Sequence, residues 1–341
     1  MNKKEFRKHA HEVADWMADF YENIEDFPVK STSKPGEILS QLPDEPPLSA
    51  EDFSTIIKDT DQKIMPGITH WQSPNFFAYF PANSSYPSVL AEMITASLGV
   101  QGMMWETSPA AAELEERVMG WLKKMIGIPE NFHGVIQDTA STATLVALLT
   151  ARERISENQI NQIVYLTNKY RVYCSKEAHS SVEKAVKIAG FGKQSLVKVD
   201  VNDSMEMDPK KLEEAITSDI YEGLIPVAIV MALGTTGTVA IDPMKPISKI
   251  AKKYKTWLHI DAAYAGTALV LPEYRYMIEG IEDADSFVFN PHKWMFTNFD
   301  CSAYFVKDKK ALLNTFEIMP EYLKTTSDDV VNNYRDWGIQ L

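Results

Sequence analysis

Two stretches of the sequence decide the fold: residues 257–264 read WLHIDAAY, and residues 287–294 read FVFNPHKW. Each stretch opens with a short, mostly apolar run and continues into polar residues. An unbroken apolar run between helical patterns indicates a β-strand that is buried on both faces. Such strands occur in mostly parallel sheets covered by helices, and the two stretches therefore predict an α/β fold.

The same kind of run recurs upstream, at residues 172–174, 195–199 and 227–233. Two helices that precede these runs have clear boundaries. In residues 85–99 and 108–127, serine and proline open an apolar-rich segment and a glycine closes it. We therefore expect a mostly parallel sheet flanked by helices.

The N-terminal region differs from the rest of the chain. Its first segment predicts an amphipathic helix, because apolar residues recur there at helical spacing. A proline-rich passage at residues 28–47 breaks regular structure, and a second helix is expected over residues 50–65. The spaced apolar residues of the first segment are Phe6, Val13, Met17, Phe20 and Ile24.

We divide the chain into three parts on this basis. Residues 1–84 form a helical arm, and residues 85–316 form a large α/β domain. Residues 317–341 hold a polar loop and the start of a further domain.

Composition excludes several classes of function. The formal net charge of -13, with no compensating run of Lys and Arg, would repel nucleic acid and anionic membranes. Cys174 and Cys301 cannot make a disulfide framework and do not suggest a zinc site or any other metal site. Residues 1–20 hold no apolar block long enough for a signal peptide or a membrane span. We expect a cytoplasmic protein.

Candidate chemistry lies just after the predicted strands, where an α/β sheet binds its ligands. Lys293, between Phe289 and Trp294, is expected to be partly desolvated, which lowers its pKa and makes its amine a nucleophile toward an aldehyde. Asp261, at the end of a buried strand, is costly unless it meets a cation. A protonated pyridine nitrogen would be that cation. The pair predicts pyridoxal 5'-phosphate as the cofactor.

Two further segments could complete a cofactor site. Residues 139–144 read TASTAT and open a helix, so their amides and hydroxyls could hold a phosphate. Serine and threonine at a helix start are also ordinary N-caps, and this segment alone decides nothing. His179 follows a predicted strand and could stack on a ring, although single histidines are more often structural.

Five segments together resemble the group II pyridoxal-phosphate-dependent decarboxylases, in particular the aromatic-L-amino-acid decarboxylases. The resemblance implies a fold type I enzyme, a carboxy-lyase that converts an aromatic L-amino acid of the tryptophan, tyrosine, DOPA or phenylalanine type to its amine and CO2. It also implies a homodimer with shared active sites, in which the N-terminal arm clamps the partner subunit. The segments are residues 64–71 (IMPGITHW), 76–81 (FFAYFP), 178–183 (AHSSVE), 258–266 (LHIDAAYAG) and 290–294 (NPHKW).

The resemblance assigns roles to individual residues. It implies that Lys293 binds the cofactor covalently, that Asp261 pairs with the pyridine nitrogen and that His179 stacks on the ring. Tyr322, in a mobile loop, would return a proton to the substrate after CO2 leaves. The residues implied around the cofactor are Ala140, Ser141, Thr236, Ala263, Asn290 and His292, and those implied in the substrate pocket are Trp71, Tyr79, Phe80 and Pro81.

This sequence departs from the family at three places. Ala82-Asn83 replaces a common Thr-Ala, which alters the expected pocket wall. Asp138 replaces a small residue before the phosphate segment and is expected to face solvent or a cation. Relatives run on past Leu341 into a small C-terminal domain, so we expect a fragment or a truncated chain.

Several alternatives stay open from the sequence. The substrate could be another amino acid, such as histidine or an acidic one. The chain could be an aldehyde synthase of the same family, although such relatives tend to have phenylalanine at the position of Tyr322 or to lack His179. A reading of another class is an inactive fragment or a dimerisation partner.

Overall fold

The computed structural model describes residues 1–80, 82–163, 169–318 and 331–339. The chain forms two compact units, Met1–Ala82 and Asn83–Leu341. The division into three parts expected from the sequence stays a prediction. Among the described helices, none is both long and apolar enough to cross a membrane.

The N-terminal unit contains the predicted amphipathic helix. Helix α1 (Lys3–Glu22) begins at a capping box, in which Asn2 and Glu5 satisfy each other's backbone amides. The second predicted helix is divided: α2 (Phe53–Asp59) continues into a π-helical turn (Thr60–Ile64) and a 3-10 turn at Met65–Gly67. The proline within that last turn ends the regular structure, as the sequence indicated.

Two helices of the second unit have the predicted boundaries. Helix α3 (Tyr86–Leu98) starts after Ser85 and ends at Gly99, whose φ of 61° is left-handed. Helix α4 (Pro109–Ile126) ends in the same way, at a glycine with φ of 77°. Glycine has no Cβ and adopts this backbone conformation without strain, so each of the two glycines stops its helix.

A seven-stranded sheet forms the centre of the second unit, in the order β1-β7-β6-β5-β4-β2-β3. Strands β6, β5, β4, β2 and β3 run parallel, while β7 is antiparallel to both of its neighbours, β6 and β1. The mostly parallel α/β sheet is thus confirmed, but β1 and β7 were not predicted. The strands are β1 (His133–Gln137), β2 (Tyr170–Ser175), β3 (Leu196–Val199), β4 (Ile225–Ala232), β5 (Trp257–Asp261), β6 (Ser286–Phe289) and β7 (Ser302–Val306).

Helices cover both faces of this sheet. In β4, Ala228 and Val230 pack on the face that carries α5, while Ile229 and Met231 belong to the core on the opposite face. Burial on both sides explains why the strands read as continuous apolar runs. The remaining α-helices of the described residues are α5 (Ala140–Ile155), α6 (Ile160–Ile163), α7 (Ser180–Ile188), α8 (Pro209–Tyr221), α9 (Met244–Tyr254), α10 (Pro291–Trp294) and α11 (Lys309–Phe316).

Strand β1 lies at the edge of the sheet, where backbone groups lack a neighbouring strand. A carboxyl from α4 satisfies one of them, since the Ile136 N–H donates to Oε1 of Glu115 over 2.7 Å. Burial raises the pKa of Glu115 to about 7. The edge strand is therefore held by a group that changes charge near neutral pH.

We predict that Glu115 makes the stability of the fold depend on pH. Its folded pKa of about 7 lies above the ordinary value of 4.5, so the folded chain loses stability as pH rises through that range. Replacement Glu115→Gln keeps the acceptor and removes the charge. Thermal unfolding should show a higher Tm than the natural chain at about pH 8, and a smaller difference at about pH 5.

The neighbouring Glu116→Gln serves as the matched control, because Glu116 is exposed on the same helix. Its Tm difference from the natural chain should not follow this pH trend. An equal Tm difference for Glu115→Gln at both pH values would contradict the prediction.

Candidate active site

Asp261 is the last residue of β5 and keeps only partial access to solvent. Its Oδ1 accepts a hydrogen bond from the Ala263 N–H at 3.1 Å. Burial raises the pKa of Asp261, while this bond and the positive charges of Lys293 and His179 act in the opposite direction. The site therefore favours a cation beside this carboxylate.

Lys293 lies in the short helix α10, directly after β6. Burial lowers the pKa of Lys293, and the negative charge of Asp261 opposes that shift. A lysine in this setting is unprotonated more often than a free one, which makes its amine a better nucleophile. The predicted pair thus lies together at the carboxyl ends of two adjacent parallel strands.

Hydrogen bonds fix the turn that carries Lys293. The Asn290 N–H donates to the Ala263 carbonyl at 3.1 Å, and Oδ1 of Asn290 accepts from the Ser302 hydroxyl at 2.7 Å. Nδ1 of His292 accepts from the Cys301 N–H at 2.8 Å. Burial and the charge of Lys293 lower the pKa of His292, so its ring is neutral and carries its hydrogen on Nε2.

Asn83 fixes the same turn from a distant point in the sequence. Its backbone N–H donates to the His292 carbonyl at 3.3 Å, and its Nδ2 donates to the Lys293 carbonyl at 3.1 Å. Asn298 and Ser88 hold the following residues through two more hydrogen bonds, of 2.7 and 3.0 Å. The sequence identified Asn83 only as a departure from relatives and did not reveal this contact.

The first turn of α5 offers the predicted phosphate site. Thr139 caps the helix, since its Oγ1 accepts from the Thr142 N–H at 3.2 Å. Ala140 and Ser141 are the first two residues of the helix, where amides point out of the first turn without intrahelical acceptors. Asp138 is exposed, as predicted, and its carboxylate accepts from the Thr139 N–H.

His179 and Thr236 lie at the ends of two other parallel strands. His179 caps α7, where its Nδ1 accepts the Ser181 N–H at 3.2 Å. Since an N–H can only donate, Nδ1 of His179 is an acceptor and Nε2 is the nitrogen left for other contacts. Thr236 is exposed in the turn after β4, next to the buried Thr235, whose Oγ1 accepts from the Ala240 N–H. Stacking of His179 on a cofactor ring and a role for Thr236 stay predictions.

The residues predicted for the substrate pocket belong to the N-terminal unit. The Trp71 ring stacks on Phe76 at 4.8 Å and on Tyr79 at 5.6 Å. Within this unit Tyr79 is 79% exposed, so ordinary core packing does not account for it. Phe80 is half-buried, and Pro81 and Tyr322 lie outside the described residues. The pocket assignment of these residues stays a prediction.

The described residues fit pyridoxal phosphate. A ring nitrogen that bears a proton would supply the cation that the partly buried Asp261 favours, and Lys293 offers a partly desolvated amine for an aldehyde. The amides of Ala140 and Ser141, with the Nε2–H of His292, are donors suited to a phosphate. The aldehyde, the ring nitrogen and the phosphate of the cofactor thus each have a complementary group among the described residues.

Comparison with known proteins agrees with this fit. Residues 35–341 match the family model described as the pyridoxal-dependent decarboxylase conserved domain. Tyrosine decarboxylase 2 of Narcissus pseudonarcissus is 42% identical over all of this chain and 70% of its own length. Phenylacetaldehyde synthase of Arabidopsis thaliana is also 42% identical, over all of this chain and 71% of its own length.

A solved structure shows the same fold. The crystal structure of Catharanthus roseus tryptophan decarboxylase in complex with L-tryptophan superposes with a TM-score of 0.93 and 36% identity. It covers all of this chain, which corresponds to 72% of that protein. With a family match over residues 35–341 and relatives that are 42% identical over the whole chain, this chain belongs to the pyridoxal-dependent decarboxylase family.

Proposed function

We propose that this chain decarboxylates an aromatic L-amino acid of the tyrosine, tryptophan, DOPA or phenylalanine type, releasing CO2 and the amine. The observation that carries the proposal is the placement of Asp261 beside Lys293 at the ends of β5 and β6. The relatives that match this chain over its full length include a tyrosine decarboxylase, and one solved neighbour is a tryptophan decarboxylase with L-tryptophan.

Different residues of the chain have different roles in the proposed reaction. Pyridoxal phosphate, when bound, supplies an aldehyde for the amino group and a ring that withdraws electrons from the bond to the carboxylate. Lys293 would provide the amine that holds the cofactor. Asp261 would keep a proton on the ring nitrogen, because its carboxylate lies in a partly desolvated position. Ala140, Ser141 and His292 would bind the phosphate.

The backbone of Lys293 must be fixed so that its amine occupies the same position in every catalytic cycle. Asn83 does this through its bond to the Lys293 carbonyl, and it also fixes the preceding His292 carbonyl. Both acceptors lie in the backbone of α10, so these two hydrogen bonds anchor the backbone of Lys293 without using its amine. We infer that Asn83 is a positioning residue for the cofactor lysine.

Aldehyde formation is the second candidate reaction, since one relative of equal identity is a phenylacetaldehyde synthase. An aldehyde synthase consumes O2 and water and releases CO2, ammonia and hydrogen peroxide along with the aldehyde. Retention of His179 and of Tyr322 in this sequence favours the amine. Product identity separates the two reactions directly.

We further propose a cytoplasmic homodimer with shared active sites. Cys174 and Cys301 are both free thiols in the described structure, which suits a reducing compartment. An apolar stripe along α3 supports the dimer, because exposed large side chains recur there every four residues and so share one helix face. The stripe consists of Tyr86, Leu90, Ile94 and Leu98.

The first prediction from this proposal concerns cofactor attachment and turnover. After addition of pyridoxal phosphate, the purified chain should show a visible absorption band, and borohydride should trap the cofactor on Lys293 in peptide mass analysis. Tyrosine, tryptophan, DOPA or phenylalanine should then yield CO2 and the amine. Lys293→Ala should lose the adduct and the activity.

Lys309→Ala is the matched control, because burial also lowers the pKa of Lys309, which lies on α11. This variant should keep the adduct. An adduct on another lysine, or none, would sink the assignment of the site. Turnover of only histidine or acidic amino acids would refute the aromatic substrate, and aldehyde with hydrogen peroxide would favour the synthase.

The second prediction concerns Asn83. Asn83→Ala removes a hydrogen bond that contributes about 1 kcal/mol, so cofactor affinity should fall roughly fivefold. Asn83→Asp should weaken binding further, because a carboxylate would face the Lys293 carbonyl. Equilibrium titration of the cofactor-free chain measures both effects.

Asn298→Ala is the control for Asn83, since Asn298 fixes the same segment five residues beyond the lysine. We expect it to lower Tm by a similar amount while changing cofactor affinity less. Equal affinity losses in Asn83→Ala and Asn298→Ala would show that Asn83 has no specific role in positioning Lys293.

The third prediction tests the dimer. Ile94→Asp places a charge in the middle of the apolar stripe, and desolvating that charge should weaken association on the order of a hundredfold. Ile188→Asp on α7 is the matched control, because Ile94 and Ile188 are each 62% exposed. Sedimentation velocity should show a monomer for Ile94→Asp and a dimer for the natural chain and Ile188→Asp. A natural chain that is monomeric at micromolar concentration would contradict the proposal.

A further inference from the structure

A buried histidine lies two residues before Asp261, and the reaction described above does not use it. His259 is completely buried in the middle of β5. Its Nδ1 is 2.9 Å from the Ser286 hydroxyl on β6, and its Nε2 is 3.3 Å from the Thr144 hydroxyl on α5. The ring therefore joins the sheet to the helix that covers it.

The direction of each hydrogen bond in this chain follows from counting hydrogens. The Thr144 hydroxyl donates its single hydrogen to the Ala140 carbonyl at 2.9 Å, so it can only accept from His259. Nε2 of His259 consequently carries the hydrogen, and Nδ1 accepts from the Ser286 hydroxyl. Burial lowers the pKa of His259 to about 3, which agrees with a neutral ring.

Ser286 completes the chain of bonds on the other side. The indole N–H of Trp257, which can only donate, points to the Ser286 oxygen at 2.9 Å. One continuous series of hydrogen bonds thus runs from Trp257 through Ser286, His259 and Thr144 to the Ala140 carbonyl. Every hydrogen in the series has one acceptor, so only one assignment of donors and acceptors is consistent with these contacts.

This series of hydrogen bonds ends at the first turn of α5 and passes through the strand that carries Asp261. Ala140 opens the helix turn suited to phosphate. His259 and Asp261 project from the same face of β5, because side chains of a strand alternate. The imidazole therefore connects the helix turn for the phosphate with the strand that carries the partner of the ring nitrogen.

We propose that His259 is a positioning residue that sets the separation between the first turn of α5 and Asp261, and thereby determines how tightly pyridoxal phosphate is held. The proposal rests on the cofactor site described above. A shift of α5 relative to β5 would misplace the phosphate donors with respect to Asp261. The phosphate and the ring nitrogen could then not both meet their partners in full.

A second threonine on α5 provides an internal comparison. Thr150 is as completely buried as Thr144, and its hydroxyl also donates to the carbonyl four residues earlier, that of Val146, at 2.8 Å. Among the described contacts only Thr144 also meets the imidazole. Valine at either position removes one hydroxyl at nearly constant volume, so the two replacements differ chiefly in the link to His259.

The decisive experiment compares Thr144→Val with Thr150→Val in the full chain. Cofactor-free protein is titrated with pyridoxal phosphate, and its Tm and the pH dependence of the visible band are recorded. Both variants should lose similar thermal stability. Thr144→Val should bind the cofactor about tenfold more weakly and shift the pH midpoint of the band, whereas Thr150→Val should change affinity less than about twofold.

Replacement of the histidine separates its two contacts. His259→Gln keeps a donor near the position of Nε2, while His259→Asn keeps an acceptor near Nδ1 and loses the link to α5. We expect the glutamine variant to retain more cofactor affinity than the asparagine variant. If both histidine variants fail to fold, the comparison of Thr144→Val with Thr150→Val still tests the proposal.

The outcomes distinguish this inference from the proposed function. A natural chain that takes up no pyridoxal phosphate would overturn both. Normal uptake by the natural chain, with equal affinity losses in Thr144→Val and Thr150→Val, would overturn the role of His259 alone. A loss of cofactor affinity in Thr144→Val but not in Thr150→Val, with an altered visible absorption band, would establish the positioning role of His259.

Discussion

Placing the carboxylate of Asp261 at the partly desolvated end of β5 costs free energy, because a charge loses hydration there. The Ala263 N–H replaces part of that hydration. The cost is reduced when a cation lies nearby. Lys293 provides a positive charge in the protein itself, and a protonated pyridine nitrogen provides one in the loaded site. Asp261 ends β5 and Lys293 follows β6, and the hydrogen-bonded turns after these strands hold the two side chains in place.

Parallel topology makes that arrangement possible. Strands β4, β5 and β6 end at one edge, so the turns after them bring Thr236, Asp261 and Lys293 toward a common place although 57 residues separate the first from the last. The antiparallel strand β7 contributes differently, since its first residue, Ser302, holds Asn290 by a side-chain hydrogen bond. The conformation of the turn that carries Lys293 thus depends on the parallel strands and on the antiparallel strand β7.

Much of this architecture could be predicted from local sequence pattern. The ends of α3 and α4 follow from serine, proline and glycine positions, and Asp261 and Lys293 follow from polar residues after apolar runs. Strand β1 escaped prediction because His133 and Gly134 interrupt its apolar pattern, and one face of its first residues is exposed. The sequence did not identify Asn83 and His259 as functional residues, for a different reason. Their partners lie 210 and 115 residues away in sequence, and no local period encodes such contacts.

Three histidines around the site share one pattern of hydrogen bonding. His179, His259 and His292 each use Nδ1 as an acceptor, from the Ser181 N–H, the Ser286 hydroxyl and the Cys301 N–H respectively. A backbone N–H or a committed hydroxyl at Nδ1 disfavours a hydrogen there, so each neutral ring presents its hydrogen on Nε2. The rings therefore act as oriented donors and add no positive charge in their neutral form. Burial lowers the pKa of His259 and of His292, so these two rings add no imidazolium that would compete with the pyridine nitrogen for the carboxylate of Asp261.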